Sequence, residues 1–191
     1  NVLDLLRSMR LVFIVTGLLS MAWDLYMFVM PIYGTSIGLS ASRIGLVMGS
    51  FSAATFVIRL ALPRMVRRYS NWQMLAFALF VASGAFAVFP LVSSFALLAC
   101  ASFVLGLGLG SSQPNVMSLL HNAAPPGRSG EAVGVRSTLV NFSQTSLPLF
   151  FGAVGAVIGI GPIYWIMSAM LAWGGWSARR EQLASESAKR S

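Results

Sequence analysis

The chain reads FALLACASFVLGLGLGSSQPNVMSL from Phe95 to Leu119, a run of 25 residues without a single charged side chain. A helix needs about 20 predominantly apolar residues to cross roughly 30 Å of membrane hydrocarbon. Strands of a membrane barrel instead alternate apolar and polar residues in segments of about ten residues, and this run does not alternate. The stretch therefore predicts a transmembrane α-helix.

The composition of the whole chain indicates the same class of protein. Of its 191 residues, 57 % are hydrophobic and only 9 % are charged, with a mean hydropathy of +0.77. A soluble domain has about 25 % charged residues, so a water-soluble fold is excluded, and the apolar content also excludes disorder. A single cysteine, Cys100, and a single histidine, His121, exclude a disulfide framework and leave little for metal binding. We expect no metal and no cofactor.

Six stretches are long and apolar enough to span the bilayer, and a helix satisfies the backbone of each within itself. We expect an all-α membrane protein with six transmembrane helices. Residues 1–10 would form a cytoplasmic lead-in, residues 11–178 the helical bundle, and residues 179–191 a basic cytoplasmic tail. The predicted spans are Leu11–Tyr33, Arg43–Leu62, Gln73–Val92, Phe95–Leu119, Ser137–Ile160 and Pro162–Ala178.

The basic residues predict the orientation of these spans. If six spans alternate, 12 of the 13 basic residues fall on one side, and only Arg43 falls on the other. Lysine and arginine are enriched in cytoplasmic loops, so both termini are predicted to be cytoplasmic, and a bacterial inner membrane is the expected location. The basic residues form small groups between apolar runs rather than one dense patch, which argues against nucleic acid as the partner.

A weak internal repeat suggests that the six spans are two sets of three. Ile44-Gly45 opens the second span and Val133-Gly134 opens the fifth, and each is followed at the same offset by a helix-bending proline or glycine. Glycines four residues apart, as in Gly45/Gly49, Gly106/Gly110 and Gly155/Gly159, predict close helix packing.

Two segments carry a resemblance to a known family. RLALPRMVRRYS, from Arg59 to Ser70, resembles the short basic loop between the second and third spans of each half of major facilitator superfamily transporters. GLGLG at 106–110, Pro114 and PPGRSGEAVG at 125–134 are similar to the fourth-to-fifth span region of the family's C-terminal half. The family's loop commonly has Gly where Pro63 lies and Asp where Arg67 lies, and the loss of that acidic residue fits a C-terminal half.

This resemblance implies a 3+3 half bundle whose partner is an N-terminal six-span half. It also implies secondary active transport of a small organic solute by alternating access, as a symporter or antiporter. Protons acting through Asp24 are the expected coupling ion, facilitated diffusion is the alternative, and export is a further expectation. In this family the first and fourth spans line the pathway. The four arginines of the basic loop, Arg59, Arg64, Arg67 and Arg68, are interpreted mainly as topology determinants, with gating as a second role.

Polar side chains recur at helical spacing in three spans, as expected for a packing seam or an aqueous cavity. The alternative is hydrogen bonding between helices without solute contact. We interpret the stripes as candidate solute contacts. Their members are Thr16, Ser20 and Asp24 in the first span, Ser111, Gln113, Asn115 and Ser118 in the fourth, and Ser137, Asn141, Gln144 and Pro148 in the fifth.

Asp24 is the sharpest candidate. An ionised aspartate near the bilayer centre costs about 2.5–3.5 kcal/mol, so a cation, a proton or cavity water must offset its charge. Trp23 and Tyr26 beside it could form a stacking surface for a cationic or aromatic solute. The alternative is a structural carboxyl group, hydrogen-bonded to neighbouring hydroxyls or paired with the other half. Arg59 and Arg136 are expected to reach the headgroups rather than the solute, with the inner mouth of the pathway as the alternative for Arg136.

Other classes of membrane protein fit the sequence less well. Gly127-Arg128-Ser129-Gly130 matches the GxSG motif of intramembrane serine proteases, but such an enzyme needs a histidine on a later span, and His121 precedes Ser129. A phosphate-binding GxxxxGK[ST] loop does not occur, which argues against an ATP-driven pump. The chain is therefore not expected to be an enzyme. A non-transporting structural or accessory six-span protein is the remaining alternative.

Overall fold

The computed structural model describes residues 9–190, with the side chains of 147, 148, 185, 186 and 188–190 left out. Predictions that concern residues 1–8, the side chain of Pro148 and the basic side chains at 189 and 190 therefore lie outside the described residues. Across the described range the chain folds into six α-helices and one short 3-10 turn, without strands. They are α1 Arg10–Ser36, α2 Ala41–Val66, α3 Asn71–Val88 with the turn Phe89–Leu91, α4 Phe95–Ala123, α5 Ser129–Ile158 and α6 Ile160–Arg190.

The all-helical prediction is confirmed for this range, while several boundaries move outward. Helix α5 begins eight residues before the predicted start at Ser137, and α6 continues without a break into the predicted tail. Four helices, α1 to α4, are long and apolar enough to cross a membrane by length and hydropathy. In α5 the described residues include a shorter apolar stretch, Leu149–Ile158, and serine, threonine, asparagine and glutamine recur along the first two thirds of this helix. The crossing by α5 and α6 and the 3+3 arrangement stay predictions.

Short polar caps set the direction of the chain between helices. Ser40 precedes α2, and its hydroxyl accepts a hydrogen bond from the Arg43 backbone N–H. Ser70 and Gln73 form a reciprocal capping box at the start of α3, with N–H to oxygen distances of 3.2 and 2.9 Å. Such caps satisfy backbone N–H groups that have no partner inside the helix. They hold the short connections that turn one helix back beside the next.

Helix α4 packs closely on α2 through two glycines. A Cβ added at Gly106 would collide with the Phe51 carbonyl oxygen, and one added at Gly110 would lie 2.8 Å from the Thr55 Cα. The packing predicted for this glycine pair is confirmed. The Gly45/Gly49 pair instead faces open space, with nothing within 4 Å of an added Cβ, so no helix of the described chain packs there.

An aromatic cluster fills the centre of the bundle between α1, α2, α3 and α6. Tyr26 stacks on Phe51 at 4.5 Å and lies 5.9 Å from Phe89, and Phe89 lies 5.4 Å from Tyr164. All four rings are essentially inaccessible. Large buried rings give many dispersion contacts, which are the main source of helix association where lipid replaces water. The cluster fixes α1 in the interior, with its polar stripe beside α5.

Candidate functional site

The carboxyl group of Asp24 lies midway along α1, in a stretch whose neighbours Ala22 and Leu25 are fully buried. Its side chain is half-buried and interacts with the side chain of Gln144 on α5. Its second oxygen, Oδ2, is buried and has no hydrogen-bond partner among the described residues. The structure therefore brings together two of the residues predicted from the polar stripes.

The rest of the α1 stripe points into the bundle. Thr16 and Ser20 are buried, with only 2 % and 4 % of their surfaces exposed. The Thr16 hydroxyl donates to the Val12 carbonyl of its own helix at 2.7 Å. This hydrogen bond lowers the cost of burying the hydroxyl group, but it also occupies the hydroxyl donor, which is then not free to orient a solute. Ser20, one turn below Asp24, is the stripe hydroxyl nearest to the carboxyl group along the helix.

The two aromatic residues that flank Asp24 have different surroundings. Tyr26 is fully buried, and its hydroxyl lies 3.5 Å from the Val47 carbonyl oxygen. It belongs to the aromatic cluster and offers no surface to a solute in this conformation. Trp23 is only half-buried and meets the edge of Phe51 at 5.0 Å. Of the predicted stacking pair, Trp23 is the ring with open surface.

The α4 stripe divides into an inward and an outward part. Asn115 is 1 % exposed, and its amide donates to the Ser111 carbonyl one turn earlier at 3.0 Å. Ser118 is exposed and accepts from the Asn71 amide at 3.0 Å, which joins α4 to the start of α3. The predicted stripe therefore contributes Asn115 to helix packing, and Ser118 to a contact at the end of the bundle.

Gln113 forms a contact that the sequence interpretation missed. Its side-chain oxygen accepts a 2.6 Å hydrogen bond from Arg136 on α5, and the Arg136 Nε is buried without a partner among the described residues. The expectation that Arg136 reaches the headgroups is therefore wrong, because its guanidinium turns towards α4. The sequence shows that Gln113 and Arg136 are both polar, but it does not show the rotation of the two helices that brings them together.

Asn141 and Gln144 lie on the open side of α5. Both side chains are exposed. The Thr145 hydroxyl donates a hydrogen bond to the backbone carbonyl of Asn141 at 3.1 Å. An exposed polar face on a helix within a membrane is expected to border water or another polar surface rather than lipid. Helix α5 thus presents both amides on its exposed side, and the Gln144 amide is the one that interacts with the Asp24 carboxyl group.

The arginines of the basic loop occupy the end of α2 and the turn that follows it. Arg59, Arg64, Arg67 and Arg68 are all exposed, and none forms an ion pair with a side chain that the structure describes. Helix α2 continues through Pro63 to Val66, so the first two arginines are helical and the last two lie at its end. An exposed cluster of this kind favours contact with headgroups or with another polypeptide.

The loop that contains the GxSG match is built as a helix start. Arg128 donates to the Glu131 carboxylate at 2.5 and 3.0 Å, and these hydrogen bonds hold the pKa of Glu131 below its usual range. Ser129 is the first residue of α5, next to this ion pair. An acidic side chain in the first turn favours helix formation through the helix dipole. The residues of the GxSG match therefore form the start of helix α5.

Long apolar helices with a buried carboxyl group and amides midway along them define a multi-pass integral membrane protein of the transport class. A sequence model described as Major Facilitator Superfamily matches residues 12–188. The chain belongs to the Major Facilitator Superfamily, as its basic loop and glycine-rich segment predicted. It is a membrane transporter protein of that family, whose members act on small solutes. No curated protein gives a significant match to the chain.

Proposed function

We propose that the chain is the C-terminal six-span half of a proton-coupled secondary transporter, which moves a small organic solute by alternating access. Asp24 is the group that takes up and releases the proton, and export is the proposed direction. The other half of the pathway comes from an N-terminal six-span bundle. Both termini lie in the cytoplasm of a bacterium, with the bundle in the inner membrane.

The observation that carries this proposal is the state of the Asp24 carboxyl group. Among the described residues, one of its oxygens is buried without a hydrogen-bond partner, and the polar side chain that it contacts is that of Gln144. A buried polar atom without a partner costs about 1–3 kcal/mol, and more for a charged group. A proton on the carboxyl group removes the charge, so a site that alternates between membrane faces can exchange it.

The solute is proposed to bind on the open side of this carboxyl group. Trp23 supplies a half-exposed ring for a cationic or aromatic group, and Asn141 and Gln144 supply exposed hydrogen-bonding groups, while Ser20 is buried beneath the carboxyl group. Cations bind over indole rings because the ring face is electronegative. Tyr26 holds α1 against α2 and acts by positioning Trp23 rather than by touching the solute.

The Arg136–Gln113 hydrogen bond is proposed to be part of the inner gate. It joins α4, ten residues before its end at Ala123, to α5, seven residues after its start at Ser129, in the half of the bundle predicted to face the cytoplasm. The exposed arginines Arg59, Arg64, Arg67 and Arg68 would form the rim of the same opening with the N-terminal half. Rocking of one bundle against the other would open and close this side.

The test is transport by the complete protein in liposomes with an imposed pH gradient. Ethidium serves as the cationic probe, and a dye trapped in the lumen reports proton movement. The wild type should accumulate ethidium against its gradient while protons move in the opposite direction. Asp24→Asn should abolish accumulation yet keep exchange of ethidium between equal concentrations, because asparagine keeps the shape but cannot titrate.

Asp24→Glu is the matched control, since it keeps a titratable carboxyl group at the same position and should retain part of the accumulation. Gradient-driven accumulation by the asparagine variant at the wild-type level per folded molecule would remove Asp24 from coupling. Infrared spectra taken across a pH series extend the test beyond this probe. A protonated-carboxyl band that titrates in the wild type and is missing in Asp24→Asn is expected, and an unchanged spectrum would contradict the proposal.

A further inference from the structure

A groove of about 470 Å³ opens on the outside of the bundle, at the end predicted to face the cytoplasm. It lies between the end of α2, the first half of α3 and the last part of α6, and Ser111 of α4 also lines it. The residues that matter for its chemistry are Met65, Tyr69, Phe77, Phe80, Arg179 and Gln182. It is separate from the Asp24 site, which lies between α1 and α5.

The walls of the groove are apolar and accessible. Phe77 and Phe80 are 57 % and 42 % exposed, one turn apart on α3. Deeper along this helix pair, Ser83 and Ser168 hydrogen-bond to each other across α3 and α6 at 2.8–3.1 Å and do not line the groove. An exposed aromatic surface on a membrane-embedded bundle faces acyl chains, not water.

The mouth of the groove is polar and basic. Arg179 and Gln182 are one turn apart on the same face of α6, and both line the groove with Tyr69. Arg180 has a different role, since its guanidinium stacks over the Trp176 ring at 3.7 Å. Trp173 and Trp176 are about half exposed, as is typical of rings at the level of the headgroups. The polar mouth therefore lies at headgroup depth, with the apolar walls reaching into the hydrocarbon.

The charge around the mouth selects the headgroup. Arg64, Arg67 and Arg68 precede Tyr69 along the chain, and the segment from 59 to 72 contains no acidic residue. A guanidinium group binds a phosphate through two parallel N–H donors. In a zwitterionic headgroup the positive charge beside the phosphate weakens the attraction to arginine, whereas an anionic headgroup has no such charge. Basic pockets between membrane helices on the cytoplasmic side are suited to anionic headgroups.

We infer that this groove is a binding site for an anionic glycerophospholipid. Arg179 holds the phosphate together with the amide of Gln182 and the hydroxyl of Tyr69. One acyl chain lies against Phe77 and Phe80, which extend about 10 Å below the Gln73 level at 1.5 Å per residue. The site requires only that the bundle be in a membrane, so it does not depend on proton coupling at Asp24.

The experiment uses the full-length protein in nanodiscs of equimolar phosphatidylglycerol and phosphatidylcholine, followed by mass spectrometry of the lipid that stays bound. Phosphatidylglycerol should be enriched about fivefold, the factor expected for one arginine at an anionic surface. Arg179→Gln should abolish the enrichment, and Arg179→Lys should keep only part of it, because lysine retains the charge but not the two parallel donors. Arg10→Gln is the matched control: it removes the same charge on the same predicted side, outside the groove, and should change nothing.

Equal retention of both lipids by the wild type would overturn the inference. An equal loss in Arg10→Gln would do the same, because it would reduce the effect to general surface charge. Complete displacement by soluble glycerol 3-phosphate would show a headgroup site without acyl contact, against the proposal. Thermal unfolding of each variant checks that Arg179→Gln is folded.

A photoreactive benzoylphenylalanine at Phe80 identifies the occupant directly. A mass increase equal to one phosphatidylglycerol is expected after irradiation, and the increase should be lost when Arg179→Gln is added. Crosslinking to a segment of polypeptide would show that another part of the full-length protein, or a second copy, fills the groove. That result would overturn the lipid assignment.

Discussion

The guanidinium group of Arg136 donates a 2.6 Å hydrogen bond to the side-chain oxygen of Gln113, and this bond joins α5 to α4. The charge is half-buried, and its Nε has no partner among the described residues, so the amide of Gln113 is the polar group that stabilises it. A buried charge that loses its hydrogen-bond partner costs more than a neutral group does.

The first prediction concerns this pair. Gln113→Leu should lower the free energy of unfolding by about 1–3 kcal/mol, because Arg136 loses its acceptor. Arg136→Met should cost less on its own, and adding it to Gln113→Leu should recover part of the loss. Unfolding in mixed micelles measures all three variants, with Asn141→Leu on the exposed face of α5 as the control. Strictly additive effects would show that the two side chains are not coupled.

The second prediction separates the two aromatic neighbours of Asp24. Tyr26→Ala should destabilise the protein by about 3 kcal/mol, since the ring is fully buried between Phe51 and Phe89. Tyr26→Phe should change stability by less than about 1 kcal/mol, because the hydroxyl lies 3.5 Å from its acceptor, at the limit of a hydrogen bond. Thermal unfolding of the purified protein measures both changes.

Trp23→Ala is the companion variant. It should weaken ethidium binding, measured by fluorescence titration, with a smaller loss of stability than Tyr26→Ala. A large loss of stability with unchanged affinity would make Trp23 a packing residue, like its neighbour.

The contrast between these two rings shows how far the sequence can lead. The apolar runs predict α1 to α4 because crossing the bilayer depends on length and hydropathy, which the sequence records directly. Trp23 and Tyr26 are three residues apart, so they lie on nearly the same side of a helix, yet Tyr26 is fully buried and Trp23 is only half-buried. Both rings contact Phe51 of α2, but Tyr26 also packs on Phe89. These contacts depend on the rotation of the helices.

The same limit applies to the polar residues. Asp24 and Gln144 were both predicted as site residues, but their contact joins positions 120 residues apart and follows from how α1 packs on α5. Arg136 was assigned to the headgroups because the sequence shows its distance from the end of a span, not its direction. The start of α5 at Ser129 was missed because the span prediction follows hydropathy, and the first turns of this helix are polar.

The third prediction concerns topology, which is inferred from the distribution of the basic residues. In a Cys100→Ala background, Ser42→Cys should react from outside intact cells with a membrane-impermeant maleimide, whereas Asn122→Cys should react only after the membrane is opened. Cys100 must be replaced because it is exposed. Ser42 lies at the start of α2 and Asn122 at the end of α4, and both are exposed. Reversed labelling would overturn the predicted orientation and the cytoplasmic placement of the basic loop.

The fourth prediction tests the close packing of α4 on α2. Gly106→Ala should destabilise the protein by about 1–3 kcal/mol, since the added methyl group would overlap the Phe51 carbonyl oxygen, and backbone cannot move aside as a flexible side chain can. Gly45→Ala is the matched control on α2, where nothing lies within 4 Å of the added Cβ. Alanine is a better helix former than glycine, so this control should be neutral or slightly stabilising. Both variants are compared by thermal unfolding in the same detergent. Equal losses would mean that the measurement reports helix composition rather than packing, and a neutral Gly106→Ala would require α2 and α4 to lie further apart than the structure places them.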